Sequence, residues 1–234
     1  MPPAPGYAYR GLGVAELLKK SLQNHVAGAL GRNGNVNTNI EDVEHPARGI
    51  QNFPKDGGFG RADNGDGTFG NRAFNTPSVV EAADSAPFFH NNVVSTLEEA
   101  VAFYSGPEFN GPRLPVLRFN FNETQQKQIA NFLRAINTLQ NIDVATRELR
   151  EILANRRDPR REQDTRLETA LGDTQDGINV LTEGGIFPDA VTRLTEARNL
   201  ISQAQQTGDA GQRRSLVQQA ITTLGEARAL VATS

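Results

Sequence analysis

Cysteine is absent from the 234-residue chain. That absence removes disulfides, thiolate metal sites, cysteine nucleophiles and thioether-bound haem in one step. It does not fix a compartment. Tryptophan is absent too, and methionine is confined to Met1. No stretch approaches the run of about 18 apolar residues that a membrane-spanning helix needs. An excess of one charge is also missing: 24 Lys and Arg stand against 27 Asp and Glu, for a net charge of −3. No basic face stands out, which argues against nucleic acid as a partner. The densest charged run, RRDPRREQD at 156–164, carries both signs and reads as a solvated linker or helix end. The opening MPPAPGYAYR has no apolar core and does not read as a signal peptide. The chain is therefore expected either to be cytosolic or to lack its leader.

What is present changes character near residue 135. Fourteen of the fifteen Phe and Tyr residues lie in 1–132, and fifteen of the 22 glycines lie in 1–120. The remainder is rich in Leu, Ala, Gln, Arg and Glu, a helix-forming composition. A mainly α chain with two domains is expected, 1–138 and 139–234. In the first, 11–30 forms a helix with Val14, Leu17, Leu18, Leu22, Val26 and Leu30 on one stripe. Residues 31–76 are dense in Gly, Asn, Asp and Pro, and a loop region of that length points to function. A short helix over 95–104 starts at a capping box of Ser95 and Glu98. Another, 122–140, is capped by Asn122 and buries Ile129, Phe132, Leu133 and Ile136.

The second domain reads as an antiparallel helical bundle of 141–156, 160–183, 188–206 and 210–232. Its stripes are Leu167, Leu171, Ile178 and Leu181; Val191, Leu194 and Ile201; and Leu216, Ala220, Ile221, Leu224 and Leu230. Gly184-Gly185, Pro188 and Gly208 supply the breaks, and short loops make neighbours antiparallel. No catalytic constellation appears in it, so it reads as a packing or docking module.

Familiar catalytic patterns are missing from the whole chain. The three histidines, His25, His45 and His90, show no helical ligand spacing. Glu44-His45-Pro46 reads as surface loop. Glu98 and Glu99 are adjacent, hence on different helix faces. GFGRADNGDGTFG has glycines without the strand–turn–helix context that cradles phosphate. Within it, DNGDGT (63–68) has the density of a calcium loop but Phe74 where the closing Glu belongs, so it reads as a turn.

Residues 74–104, FNTPSVVEAADSAPFFHNNVVSTLEEAVAFY, carry an ordered pattern: Phe74, Pro77, Ser78; then Ser85, Pro87, Phe88, Phe89, His90; then Thr96, Leu97, Glu98, Glu99 and Val101. This segment resembles the C-terminal domain of the bacterial di-haem cytochrome c peroxidases and their MauG-like relatives. Ile129 to Ile136 resembles the family's closing helix, and the likeness covers roughly residues 10–136. It implies a cytochrome c-like helical domain with long Gly-rich loops, and a periplasmic or extracellular setting.

The resemblance also places the pentapeptide SLQNH at 21–25. Arg10-Gly11 precedes the first helix as in the family, and His25 lies 65 residues before His90. SLQNH thus stands where the second Cys-x-x-Cys-His haem motif belongs, with Ser21 and Asn24 in place of both cysteines. The family's distal axial ligand lies 14 residues beyond the Phe-His, and here that position is Tyr104. His25 and Tyr104, with His90, are the implied haem-binding residues. The family's calcium ion implies Ser85 and Pro87, but its other ligands come from a first haem domain that this sequence lacks. Three cofactor outcomes follow: non-covalent haem, an incomplete calcium site, or none.

A complete peroxidase within this sequence is not expected, because the reaction needs two haems and an open iron. The leading expectation is a binding or assembly module that has lost covalent haem and works beside a haem-bearing cytochrome subunit or domain. The alternatives are a redox protein with non-covalent haem, acting in electron transfer or as a peroxidase-like oxidoreductase, and a piece of a larger haem peroxidase.

Overall fold

The computed structural model describes residues 79–89, 94–106, 110, 118–155 and 157–233, together with the backbone of two short strands. It is mainly helical. The strands, β1 (Asn35–Val36) and β2 (Phe74–Asn75), pair antiparallel, with Val36 opposite Phe74. The helices are α1 (Leu97–Phe103), α2 (Glu123–Ala154), α3 (Arg160–Gly184), α4 (Pro188–Gln206) and α5 (Ala210–Ala232). Two compact units divide the chain, with the boundary along α2 between Ala130 and Asn131. The expected helices 122–140 and 141–156 are one helix, so the expected domain border at 138/139 falls inside α2. No Gly or Pro interrupts residues 137–145, and nothing there stops the ladder of intrahelical hydrogen bonds.

In the unit that includes Asn131–Ser234, α2 from Asn131 onward forms an antiparallel four-helix bundle with α3, α4 and α5. Asp143 of α2 pairs with Arg228 near the end of α5. Arg214, near the start of α5, donates to the Ile152 and Leu153 carbonyls at the end of α2. The reversed order makes the two helices antiparallel. Glu148–Arg166 and Arg134–Glu183 tie α2 to α3 in the same sense, and Arg193–Glu226 ties α4 to α5.

The buried positions follow a seven-residue repeat. In α2 they include Ala135, Thr138, Ile142, Ala145, Leu149 and Ile152; in α3, Leu167, Ala170, Thr174, Gly177 and Leu181; in α4, Ala190, Leu194, Ala197, Ile201 and Ala204; in α5, Arg213, Val217, Ala220, Leu224, Ala227 and Val231. Steps of three and four residues keep one seam of each helix facing the bundle axis. Alternating small and large side chains lets the layers interdigitate. The expected stripes are found in part. Leu167, Leu181, Leu194, Ile201, Ala220 and Leu224 are buried. Leu171, Ile178, Val191, Leu216, Ile221 and Leu230 are half-buried and flank the core. On α2, Ile129, Phe132, Leu133 and Ile136 are only half-buried. Arg134, Asn137, Thr138 and Asn141 are buried instead.

The ends are closed by specific hydrogen bonds. At the end of α3, Gly185 takes φ 60°. Its N–H donates to Thr182 O and that of Ile186 to Leu181 O, satisfying two terminal carbonyls. Asp209 caps α5 by accepting from Gln212 N at 2.6 Å. At the end of α4, Arg160 donates to Gln205 O and to Thr207 O, at 3.3 and 2.8 Å. Within the mixed-charge run, then, Arg160 closes a helix end. Asp164 accepts at 2.9 Å from Arg213, which is 2 % exposed.

Two pairs of substitutions test this account by thermal or denaturant unfolding. A Cβ at Gly184 would lie 2.6 Å from Arg134 Cδ, whereas one at Gly172 meets nothing within 4 Å. Gly184→Ala is expected to destabilise by about 1–3 kcal/mol, and Gly172→Ala to stabilise by about 0.5–1 kcal/mol. Arg213→Ala removes a buried core side chain together with its bond to Asp164 and should cost about 2–4 kcal/mol. Arg228→Ala breaks a pair in which both partners are about half exposed and should cost less than about 1 kcal/mol.

Candidate functional site

Of the residues singled out by the sequence, Ser85, Pro87, His90 and Tyr104 fall within positions 81–104 of the chain. His25 and His90 lie outside the described residues; Ser85, Pro87 and Tyr104 lie within them. A single 3₁₀ turn, Ala82–Asp84, leads into the segment. Ser85 closes it, its N–H donating to Ala82 O at 3.3 Å and its hydroxyl to Glu81 O at 2.8 Å. The Ala86–Pro87 peptide is cis. Ser85 and Pro87 are both exposed. Neither brings a carboxylate, and calcium takes about 6–8 oxygen ligands, so these two residues alone do not make up a calcium site.

Beyond Pro87 the chain doubles back. Phe88 N–H donates to Val94 O at 2.7 Å, and the two residues form an antiparallel bridge. Phe89 takes φ 65°, a left-handed conformation that is costly for a residue with a Cβ. Packing accompanies the strain. The Phe89 ring meets Phe103 edge-on at 4.9 Å and Tyr104 at 6.3 Å. Phe103 and Tyr104 meet at 5.6 Å, again edge to face. Such contacts are each worth about 0.5–1.5 kcal/mol beyond area burial, comparable to the backbone cost.

α1 delivers Tyr104 to this cluster. The capping box is one residue later than expected. Thr96 Oγ1 accepts from Glu99 N, and the Glu99 carboxylate accepts from the N–H groups of both Thr96 and Ser95. Glu99 wins over Glu98 because its carboxylate satisfies two donors. From that start, Leu97, Ala100 and Val101 are buried on one side, and Tyr104 follows Leu97 by seven residues on the same side. After α1, Ser105 Oγ accepts from Phe121 N at 3.0 Å. The Asn110 amide pairs with both backbone groups of Phe119, at 2.7 and 2.9 Å. These bonds lead into α2, whose Asn122 cap accepts from Gln125 N at 3.0 Å, as expected.

Tyr104 is half-buried, and desolvation raises its phenol above the ordinary value of 10.0. At neutral pH it is a neutral phenol set among aromatic rings. The sequence singled out Tyr104 but not its partners Phe89 and Phe103. The available signal was the pair of aromatic doublets, Phe88-Phe89 and Phe103-Tyr104.

Elsewhere the described surface offers little chemistry. A shallow depression of about 280 Å³ lies between Glu196 and Leu200 of α4 and Gln218, Gln219, Thr222 and Thr223 of α5. Its threonine hydroxyls donate to carbonyls of their own helix. Among the described residues no three His, Asp or Glu side chains gather as a metal-binding group, and no helix is long and apolar enough to cross a membrane.

The raised phenol has a consequence at high pH. Its stabilising contribution is fully present below pH 10.0, the ordinary value, and is lost as pH rises through the higher folded value. Alkaline unfolding followed by circular dichroism should therefore begin at higher pH in Tyr104→Phe than in the parent. Equal onsets would place Tyr104 in a solvated setting.

In comparisons with known proteins the chain matches no family model, no curated protein and no solved structure at a significant level.

Proposed function

We propose that this chain is a binding or assembly module: a cytochrome c peroxidase-like domain without covalent haem, extended by the four-helix bundle. It works beside a haem-bearing cytochrome subunit or domain, in a periplasmic or extracellular setting. The observation that carries the reading is chemical. The segment 74–104 keeps the family's order, while both thioether positions, Ser21 and Asn24, are not cysteine. The surroundings of Tyr104 support it. Contacts with the Phe89 and Phe103 rings give Tyr104 a packing role that requires no metal.

The sequence positions of His25 and Tyr104 in the family register suggest one second reading, a redox protein with non-covalent haem held by both. Imidazole and phenolate are both known haem ligands, and haem would supply the electron-transfer chemistry. His25 and Tyr104 would hold it, with Phe89 and Phe103 beside Tyr104.

Purified full-length protein, titrated with haem and followed by its Soret absorption, separates the two. The proposal expects weak, non-stoichiometric uptake that His25→Ala leaves unchanged. Stoichiometric, tight binding that His25→Ala abolishes would overturn it in favour of the second reading.

A further inference from the structure

The fold sorts the charges of the bundle along its axis. Residues 143–172 and 197–221 form the half that carries the α2–α3 and α4–α5 connections. That half holds ten of the thirteen arginines of 131–234 and eight of its fourteen carboxylates. The other half has three arginines, and each is paired: Arg134 with Glu183, Arg193 with Glu196 and Glu226, and Arg228 with Asp143 across the middle. In the arginine-rich half, Arg160, Arg213 and Arg214 bond carbonyls or a carboxylate that close the helix ends. Arg150, Arg157 and Arg161 do not. All three are exposed, and among the described residues their guanidiniums have no ion pair or hydrogen bond. Arg150 stands one turn before the end of α2, Arg157 in the connection, and Arg161 in the first turn of α3. The bundle contains no lysine; the four lysines of the chain, at 19, 20, 55 and 127, all precede it. Either residue serves for solubility, but the planar fork of arginine also holds a carboxylate through two parallel hydrogen bonds.

We infer that this arginine end of the bundle is a docking surface for a partner protein whose own surface carries carboxylates. Other anionic partners fit it less well. Beyond Phe132 the only aromatic residue is Phe187, at the other end of the bundle. The exposed large hydrophobics among the described residues, Val79 and Val80, lie outside the bundle. Stacking on bases and insertion into a bilayer therefore have no side chains here to use. Glu162 and Glu168 stand exposed among the arginines. They repel a uniformly anionic polymer, whereas a folded protein places its carboxylates singly. The bonds of Arg160, Arg213 and Arg214 hold the helix ends, so the free guanidiniums ride on an ordered frame and docking orders little beyond the side chains. Exposed charge pairs each add little affinity and mainly set encounter and orientation, so the contact is transient and salt-sensitive. The surface belongs to the bundle and needs no haem elsewhere in the chain.

Fluorescence anisotropy of a labelled peptide of alternating Glu and Ser, titrated with the full-length protein, tests the inference. The peptide should bind at low salt and weaken severalfold at about 150 mM salt. Arg150→Gln, Arg157→Gln and Arg161→Gln together should weaken binding about tenfold. Arg193→Gln with Arg228→Gln, at the other end, should leave it unchanged. Absent binding at low salt, or binding that salt does not weaken, overturns the inference in the parent protein alone, whether or not a variant folds. Unchanged affinity in the triple variant overturns it as well. So does tighter binding of duplex DNA of the same formal charge, or of phosphatidylserine vesicles, than of the peptide, because the surface would then serve a phosphate-bearing partner.

Discussion

The seven-residue repeat of buried positions is the constraint on which the bundle depends. A helix that returns to the axis every three or four residues keeps a narrow seam facing its neighbours. Nine of the seam positions named above are Ala or Gly: Ala135, Ala145, Ala170, Gly177, Ala190, Ala197, Ala204, Ala220 and Ala227. Small residues let helix backbones approach, so Leu149, Leu167, Leu194, Ile201 and Leu224 can fill the layers between them. That explains how a chain with 37 % hydrophobic residues builds a buried core over four helices. The exposed ion pairs around the outside then set register more than they add stability.

The two ends of the bundle are finished with different chemistry. At one end arginines do the work: Arg214 on the carbonyls that end α2, Arg160 on those that end α4, and buried Arg213 on Asp164 and the Thr207 carbonyl. Guanidinium suits that role because its several donors can serve carbonyls and a carboxylate at once. At the other end glycine takes over. Gly185 turns the chain after α3, and Gly184 makes room for the Arg134 side chain. The polar stripe of α2 lies at this glycine end.

In the other unit the same logic operates on a smaller scale. A left-handed Phe89 persists because its ring packs on two others. α1 is short and holds its start through one carboxylate that accepts from two backbone groups. Strained backbone held by surrounding packing is a recurrent property of binding sites. Here it brings Tyr104 into an aromatic setting where desolvation raises its phenol above the ordinary value.

The sequence by itself determined the helix limits of the bundle. Residues 160–183, 188–206 and 210–232 come within a residue of their observed ends, because Pro, Gly and Asp act on the backbone locally. It also determined which chemistry is excluded, since no fold restores a thiolate to a chain without cysteine. Tertiary structure alone decided the rest. Two expected helices became one α2, because no local stop lies between them and their buried seam continues. Thr138, Asn141, Thr174 and Arg213 entered the core, while Ile129, Phe132, Leu133 and Ile136 did not fully. Aliphatic side chains mark a stripe in any sequence, but Ala, Gly and Thr carry no such mark. Whether they are buried depends on how closely a neighbouring helix approaches. The partners of Tyr104 were hidden for the same reason: Phe89 reaches it only through a backbone conformation that the packing around it makes affordable.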